Sequence, residues 1–431
     1  MLTMTDAKVR KSGTAYLVGV YRDPHNKEEA SSLLDELRLL VQTLGITVAH
    51  QELVKIQEFT SRYFVGSGRA EGIVAHVKQL GANVIVFDND LTPAQQRNWE
   101  ALSKFAVIDR QEVILDIFAR RAQTKEARLQ VELARLEYSL PRLTRAWGHL
   151  SRQAGGVGGR GEGETQLETD RRIVRRHIDA VKADLELVRS RRATQRKQRE
   201  RLPLPHAAIV GYTNAGKSSL LRRLTGAEVL VADKLFSTLD PTTRRVDLGN
   251  GQPLLLTDTV GFVRNLPHRL IEAFKATLEE AARADFLVHV LDASHPRVYD
   301  FYETTKHVLE ELGADTLRAI TVLNKIDRIE DPAAIHALRL HFPDAAFVSV
   351  RTGAGIEDLL ERCAEKLSDR STKVELALPL DRTELLSLLH RTGRVLRLEY
   401  GERVASVVAL VSPKVFARVQ PFLVNQQAHA V

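Results

Sequence analysis

Four regimes of apolar spacing follow one another along the chain. Residues 16–21 and 84–87 are short apolar runs rich in β-formers, and residues 27–44 space their apolar side chains at helical intervals. Strand and helix signals in alternation predict a small parallel α/β domain over residues 1–110. The pattern changes over residues 111–202. Leu129, Leu133, Leu136 and Leu140, and again Val174, Ile178, Val181, Leu185 and Val188, alternate spacings of four and three, which is the seam of a coiled coil. Two helices of about 30–35 residues, pairing as an antiparallel hairpin, would reach about 45–50 Å at 1.5 Å per residue. Pro141 kinks or ends the first of them.

Residues 203–369 form the third regime, entered through the linker Leu202-Pro203-Leu204-Pro205. Short buried-strand runs at 206–210, 254–256 and 319–323 each break into a polar loop, and residues 347–350 give a further strand. The last regime, residues 370–431, reads strand, helix, strand, strand, helix, with Gly401-Glu402 at the hairpin turn. It predicts a small α+β domain without a chemical signature.

Composition narrows the picture. The chain has 431 residues, 44% hydrophobic and 27% charged, enough apolar material for several soluble cores. No apolar run reaches membrane-spanning length, and residues 1–12 lack the apolar stretch of a secretory signal. The single cysteine, Cys363, excludes an internal disulfide and reads as a small core residue. A cytoplasmic protein, monomeric and without a membrane span, is expected. Histidines such as His206, His268 and His289 show no metal-ligand spacing, and nothing pairs a nucleophile with a base for covalent catalysis.

The net charge of +7 carries less than its distribution. Arg171, Arg172, Arg175, Arg176, Arg189, Arg191, Arg192, Arg196, Lys197, Arg199 and Arg201 crowd the second predicted arm helix. Between the arm helices, residues 151–165 hold six glycines within nine positions, together with Arg152 and Arg160. Glycine lets backbone approach a ligand closely, and arginine forks pair with phosphate. A basic arm with a glycine-rich tip predicts contact with nucleic acid. A second glycine cluster, Gly66-Ser67-Gly68-Arg69-Ala70-Glu71-Gly72, resembles a dinucleotide loop only superficially, and a helix-entry turn is expected there.

The sharpest chemistry lies in the third region. The strand at 206–210 runs into Gly211-Tyr212-Thr213-Asn214-Ala215-Gly216-Lys217-Ser218 and then a helix, the context a phosphate-binding loop requires. Backbone N–H groups at a helix N-terminus face the phosphates there. Lys217 is expected at the β- and γ-phosphates and the Ser218 hydroxyl on Mg²⁺. Phe236-Ser237-Thr238-Leu239-Asp240 follows at the distance of a first switch, with Thr238 expected on Mg²⁺ and Thr242 as its rival. Asp258-Thr259-Val260-Gly261 ends the next strand: Asp258 is expected to hold Mg²⁺ through water, and the Gly261 N–H to meet the γ-phosphate. Asn324-Lys325-Ile326-Asp327 ends a third strand, where a carboxylate at Asp327 accepts both N1–H and N2–H₂ of guanine and makes GTP the substrate. Asn324 braces the base and the Lys325 stem covers it. Ser349-Val350-Arg351 adds a backbone contact to the guanine oxygen. Lys217, Thr238 and Gly261 are thus the expected catalytic set. Phe262 stands where Ras-like enzymes place a water-orienting glutamine, so slow intrinsic hydrolysis, raised by a partner, is expected.

These motifs, together with the N-terminal α/β domain, the helical arm and the run 155–165, resemble HflX-type GTPases over essentially the whole chain. The resemblance implies a P-loop GTPase domain with an N-terminal α/β domain, an antiparallel coiled-coil arm and a small C-terminal α+β domain. It implies binding to the large ribosomal subunit through the arm, with the glycine-rich loop near the peptidyl transferase centre. It further implies splitting of stalled ribosomes into subunits, with hydrolysis releasing the factor. At Asn214, GTPases similar to this one bind K⁺ beside the phosphates, so K⁺ stimulation is an expectation as well. Val350-Arg351 departs from the Ala-Lys or Ala-Gln usual in such enzymes. The competing readings are a GTP-dependent RNA chaperone or ribosome-assembly factor, and a signalling GTPase whose coiled coil binds protein. The basic, glycine-rich tip disfavours the last of these.

Overall fold

The computed structural model describes residues 13–145, 160–199, 204–226, 235–236, 238–249, 252–265, 280–311, 313–368 and 371–424. The glycine-rich segment before Arg160, and Ser237 of the first switch, lie outside the described residues. The chain divides into two compact units.

The first unit opens with β1 (Thr14–Tyr21), α1 (Lys27–Thr43), β2 (Thr47–Lys55), α2 (Ser67–Gln79), β3 (Val84–Phe87), α3 (Pro93–Ser103) and β4 (Ala106–Asp109). The four strands form a wholly parallel sheet in the order β2-β1-β3-β4, as the alternating pattern predicts. β1 and β3 are buried nearly throughout and read plainly in the sequence. β2 is an edge strand with mostly exposed or half-buried side chains, which hides it from any hydrophobic pattern. Trp99 anchors the core and donates its indole N–H to the Tyr63 carbonyl at 2.7 Å. Gly66 caps α2, so the second glycine cluster is the expected helix entry.

The arm departs from its predicted lengths. Residues 110–121 form a separate helix, α4 (Arg110–Arg121), whose Val113, Ile114, Ile117 and Phe118 are buried. Ala122 turns extended, and Thr124 starts α5 (Lys125–Ser139) by accepting the Ala127 N–H at 3.1 Å. The first arm helix is therefore only 15 residues long. The second, α6 (Arg160–Arg199), runs for 40. Leu136, Ile178 and Val181 are buried together, flanked by Leu129, Leu133, Leu140 and Val174; of the predicted seam residues, Leu185 and Val188 are not part of this cluster. Glu132 pairs with His177 and Glu137 with Lys182, each at 3.1 Å.

Two later positions also belong to this unit. Phe236 packs edge-on against Phe118 with centroids 4.6 Å apart. Arg264 reaches Glu36 at 3.2 Å and the Ser32 hydroxyl at 2.9 Å, beside Arg110, which pairs with Asp88 at 2.7 Å and Glu36 at 3.1 Å. This buried ion cluster had no signal in the sequence, because its members are scattered over more than 200 positions.

The second unit holds a six-stranded sheet and a small terminal domain. Its elements are β5 (His206–Gly211), α7 (Lys217–Thr225), β6 (Thr242–Asp247), β7 (Pro253–Asp258), β8 (Phe286–Asp292), α8 (Val298–Glu311), β9 (Ala319–Asn324), α9 (Pro332–His341), β10 (Ala346–Phe347) and α10 (Ile356–Ser368). The order is β10-β9-β8-β5-β7-β6, with β6 alone antiparallel. The C-terminal ends of β5, β7 and β9 thus open on one edge, where ligands of such sheets bind. The terminal domain comprises β11 (Thr372–Pro379), α11 (Thr383–Thr392), β12 (Arg394–Tyr400), β13 (Val404–Val411) and α12 (Pro413–Val419), an antiparallel sheet ordered β11-β13-β12. Its five elements match the expected sequence of elements. Among the described residues no helix is long and apolar enough to cross a membrane.

His289 lies in the middle of β8, stacked on Tyr302 at 5.2 Å, with its Nε2 buried and without a hydrogen-bond partner among the described residues. Burial, with the Lys217 charge adding to it, pulls its pKa down to about 3. The unfolded chain takes up this proton below about 6.5 and the folded chain does not. Stability therefore falls as pH drops from 6.5 towards 3, by about 2 kcal/mol at pH 5 from this group. His289→Phe keeps the ring stack and removes that loss. Calorimetry is expected to show a higher melting temperature for the variant at pH 5 and a smaller gain at pH 7.5. An equal gain at both would reject the protonation account.

Candidate nucleotide site

The phosphate loop departs from β5 through backbone that only glycine tolerates. Gly211 has φ +142°, and a Cβ there would sit 2.1 Å from the Val290 carbonyl oxygen. Gly216 has φ +101°, and its Cβ would meet the Asn324 amide nitrogen at 2.2 Å. Asn214 between them is left-handed, with φ 61°, and its side chain is exposed. Tyr212 lies flat on Phe301 of α8, centroids 3.9 Å apart and planes 3° from parallel. Phe301 had no functional signal in the sequence. It fixes the loop from below.

Lys217 opens α7 and is buried. Its Nζ donates to the loop carbonyls of Gly211 at 3.0 Å and Tyr212 at 2.7 Å. Burial draws its pKa down to about 8, against the nearby Asp258 charge. The next residue, Ser218, donates to Asp258 Oδ2 at 2.6 Å. Thr238 donates to the same oxygen at 2.6 Å and lies 2.8 Å from the Ser218 hydroxyl. Three oxygen-bearing side chains from α7, the first switch and the end of β7 thus converge. Thr242 instead begins β6, with its backbone paired to Asp258. Of the two threonines weighed from the sequence, it is Thr238 whose hydroxyl reaches the carboxylate.

The chemistry of this cluster suits a divalent cation. Asp258 is fully buried, and its Oδ1 has no hydrogen-bond partner among the described residues. Burial pushes its pKa up, opposed first by Lys217 and then by the two hydroxyls. A buried carboxylate with one oxygen unspent, beside two hydroxyl oxygens, is the hard all-oxygen donor set that suits Mg²⁺.

The second switch starts under close restraint. The Thr259 hydroxyl donates to the Ile209 carbonyl at 2.7 Å. Phe262 N–H donates to Gly211 O at 3.1 Å, and Thr213 N–H donates to Phe262 O at 2.8 Å. The Phe262 ring is buried at 2% exposure. Leu239 and Val260 are buried as well, and Asp240 is half-buried. Phe236 clusters with the first unit.

The base corner forms where β9 ends. The Asn324 amide donates to the Ala215 carbonyl at 2.8 Å, and its Oδ1 accepts the Val350 N–H at 3.1 Å. Asn324 therefore ties the phosphate loop to the Ser349-Val350-Arg351 loop. Lys325 is left-handed at φ 66° and pairs with Asp292 at 2.6 Å. Asp292 was not foreseen. It ends β8 as Asp258 ends β7, an acid closing an apolar strand, and that was its available signal. Ile326 follows in a short 3₁₀ turn with Asp327. Asp327 Oδ1 accepts from Ser349 at 2.6 Å, and Oδ2 pairs with Arg351 at 2.8 Å. The Ser349 hydroxyl, and after it the Arg351 charge, hold this carboxyl below the usual range. It is a stable anionic acceptor, which reading an N–H face requires.

The family described as 50S ribosome-binding GTPase matches residues 206–325. The GTP-binding GTPase N-terminal and Middle Region families match residues 31–119 and 121–199. GTPase HflX of Akkermansia muciniphila is 50% identical over 424 residues, covering 96% of this chain and 97% of the relative. The chain belongs to the HflX family of GTPases. GTPase HflX of Escherichia coli is 43% identical over 394 residues, covering 91% of this chain and 92% of the relative. A GTP-binding protein of Sulfolobus solfataricus, solved with GDP, is 23% identical with a TM-score of 0.44, covering 82% of this chain and 98% of that one. The protein is accordingly a GTPase, with the N-terminal, middle and nucleotide-binding parts of its family.

Proposed function

We propose that this GTPase binds the large ribosomal subunit in its GTP form and splits stalled or idle ribosomes, hydrolysis then releasing it. One observation supports the reading above others: a nucleotide switch and a basic helix stand on the same chain. Arg172, Arg175, Arg176 and Arg191 are exposed on α6, away from its buried Ile178, Val181 and Leu185. Ribosomal RNA is the polyanion such a face suits. The description of the matched family as ribosome-binding points the same way. Residues 111–202 act as the arm in this reading, between an N-terminal domain at 1–110 and a nucleotide domain at 203–369, with 370–431 as the terminal domain.

At the site, Lys217 and the loop N–H groups bind the β- and γ-phosphates, and the Gly261 N–H reads the γ-phosphate. Ser218, Thr238 and Asp258 would hold Mg²⁺. When bound, the ion neutralises charge on the phosphate oxygens. Asp327, Asn324 and Lys325 bind guanine, and the Val350-Arg351 backbone meets its oxygen. The exposed Asn214 side chain accepts K⁺ beside the phosphates, so hydrolysis runs faster in KCl than in NaCl. Equal rates would remove K⁺ from the reading.

The decisive experiment is sedimentation of purified large subunits with the protein carrying a non-hydrolysable GTP analogue or GDP. Co-sedimentation with the analogue, weakened by GDP and by raised salt, is expected. Protein left in the supernatant in both states would defeat the ribosomal reading and favour a free-RNA substrate.

A further inference from the structure

Phe262 leaves the hydrolytic reaction without the side chain that Ras-like enzymes use to orient water. We propose that the Thr213 hydroxyl supplies the missing polar contact and is a catalytic residue for GTP hydrolysis. The inference rests on the phosphate placement at Lys217 and Gly261 proposed above and is independent of the ribosomal reading.

Thr213 stands where the loop meets the second switch. A Cβ built on Gly261 would lie 2.8 Å from Thr213 Cγ2, 2.9 Å from Thr213 Cα and 2.8 Å from Lys217 Nζ. The γ-phosphate-reading glycine, the phosphate-binding lysine and Thr213 therefore share one point. The backbone of Thr213 is fixed there by its N–H bond to Phe262 O.

Its hydroxyl is unspent. Thr213 is 7% exposed, and its Oγ1 is buried without a hydrogen-bond partner among the described residues. Leaving a buried hydroxyl unpaired costs on the order of 1–3 kcal/mol, so such groups in a folded protein call for a reason. The other polar side chains nearby are committed. Lys217 bonds two carbonyls, Thr259 bonds Ile209 O, and Ser218 and Thr238 bond Asp258. Phe262 is spent in another way, with both backbone groups tied to the loop and its ring buried. Among the described residues around this point, Thr213 carries the one buried hydroxyl without a hydrogen-bond partner; the other unpartnered oxygen, Asp258 Oδ1, belongs to the candidate cation site.

The step balances without a protein base. The water oxygen forms a bond to the γ-phosphorus as the bond to the β–γ bridging oxygen breaks and leaves with GDP. The water proton passes to an oxygen of the departing phosphate. A threonine hydroxyl is too weak a base to take that proton. It accepts a hydrogen bond from the water or donates one to a γ-phosphoryl oxygen, and so fixes the line of attack.

The test compares Thr213→Val, which keeps the shape and removes the oxygen, with Thr213→Ser, which keeps the oxygen. Single-turnover hydrolysis is measured without ribosomes, alongside binding of GDP and of a non-hydrolysable GTP analogue, and formation of the GDP–aluminium fluoride complex. Thr213→Val is expected to slow hydrolysis about 30- to 100-fold, by analogy with loss of one oriented donor. It should bind both nucleotides within about threefold of the parent and fail to form the fluoride complex; Thr213→Ser should recover most of the rate. Hydrolysis by Thr213→Val within threefold of the parent overturns the proposal. So does a parallel loss of GDP and analogue binding, which would mark the hydroxyl as structural. Should the valine variant not fold, Thr213→Ser with the parent rate against Thr213→Ala without it decides the same question.

Discussion

Asp327→Asn is expected to weaken GTP binding on the order of 10²- to 10³-fold and to make xanthosine triphosphate the better ligand. The carboxylate is an acceptor at both oxygens, and guanine offers it two donors, N1–H and N2–H₂. Hydrogen bonds to a charged group contribute roughly 1.5–3 kcal/mol each. The asparagine loses one such bond and turns its own N–H₂ towards the guanine amino group. Xanthine carries a carbonyl in place of that amino group, and the new amide donates to it. The variant also breaks the ion pair with Arg351. That side chain is 75% exposed, so the pair contributes too little to confuse the outcome. Competition against a fluorescent nucleotide, titrated with GTP and with the xanthine analogue, measures the switch. An unchanged preference for GTP would remove Asp327 from base recognition.

Asp258→Asn is expected to move stability and activity in opposite directions. Asn keeps the shape, and the Ser218 and Thr238 hydroxyls can turn to bond its amide. What it removes is a fully buried negative charge with one unpartnered oxygen. Burial outweighs the attraction of Lys217 among the influences on this carboxyl. The nucleotide-free variant should therefore melt a few degrees higher, as about 1 kcal/mol does in a unit of this size. Its hydrolysis should fall on the order of 10³-fold, because the charge that secures Mg²⁺ is gone. Added Mg²⁺ should restore little. A variant less stable than the parent would show the carboxylate to be a structural support, and near-parental hydrolysis would show it to be outside the metal site.

The two halves of the site were not equally legible in the sequence. Phosphate, cation and guanine each demand particular residue types at strand ends, so Lys217, Ser218, Asp258, Asn324 and Asp327 stood out by spacing alone. The structure brings them to one edge of the sheet. The five elements of the terminal domain were readable for a simpler reason, since short half-buried strands and helices print their periodicity directly. What stayed hidden depends on partners far away in sequence. Phe301 beneath Tyr212, Asp292 beside Lys325 and Arg264 among Glu36, Ser32 and Arg110 gain meaning only when the chain folds. The break between α4 and α5 was missed although Thr124 marks it, because helical spacing of apolar residues continues on both sides of a cap.

The backbone bonds that join Phe262 to the phosphate loop also set how far the second switch can travel. Asp258 anchors one end of it in β7, and Phe262 is clasped at the other by Gly211 and Thr213. Three residues lie between, and the first, Thr259, is tied to Ile209. At no more than about 3.5 Å of chain per residue, so short a span has a short stroke. In the proposed reading it works as a latch, with the terminal phosphate registered as one amide bond made or lost. A long throw would have to begin beyond Phe262.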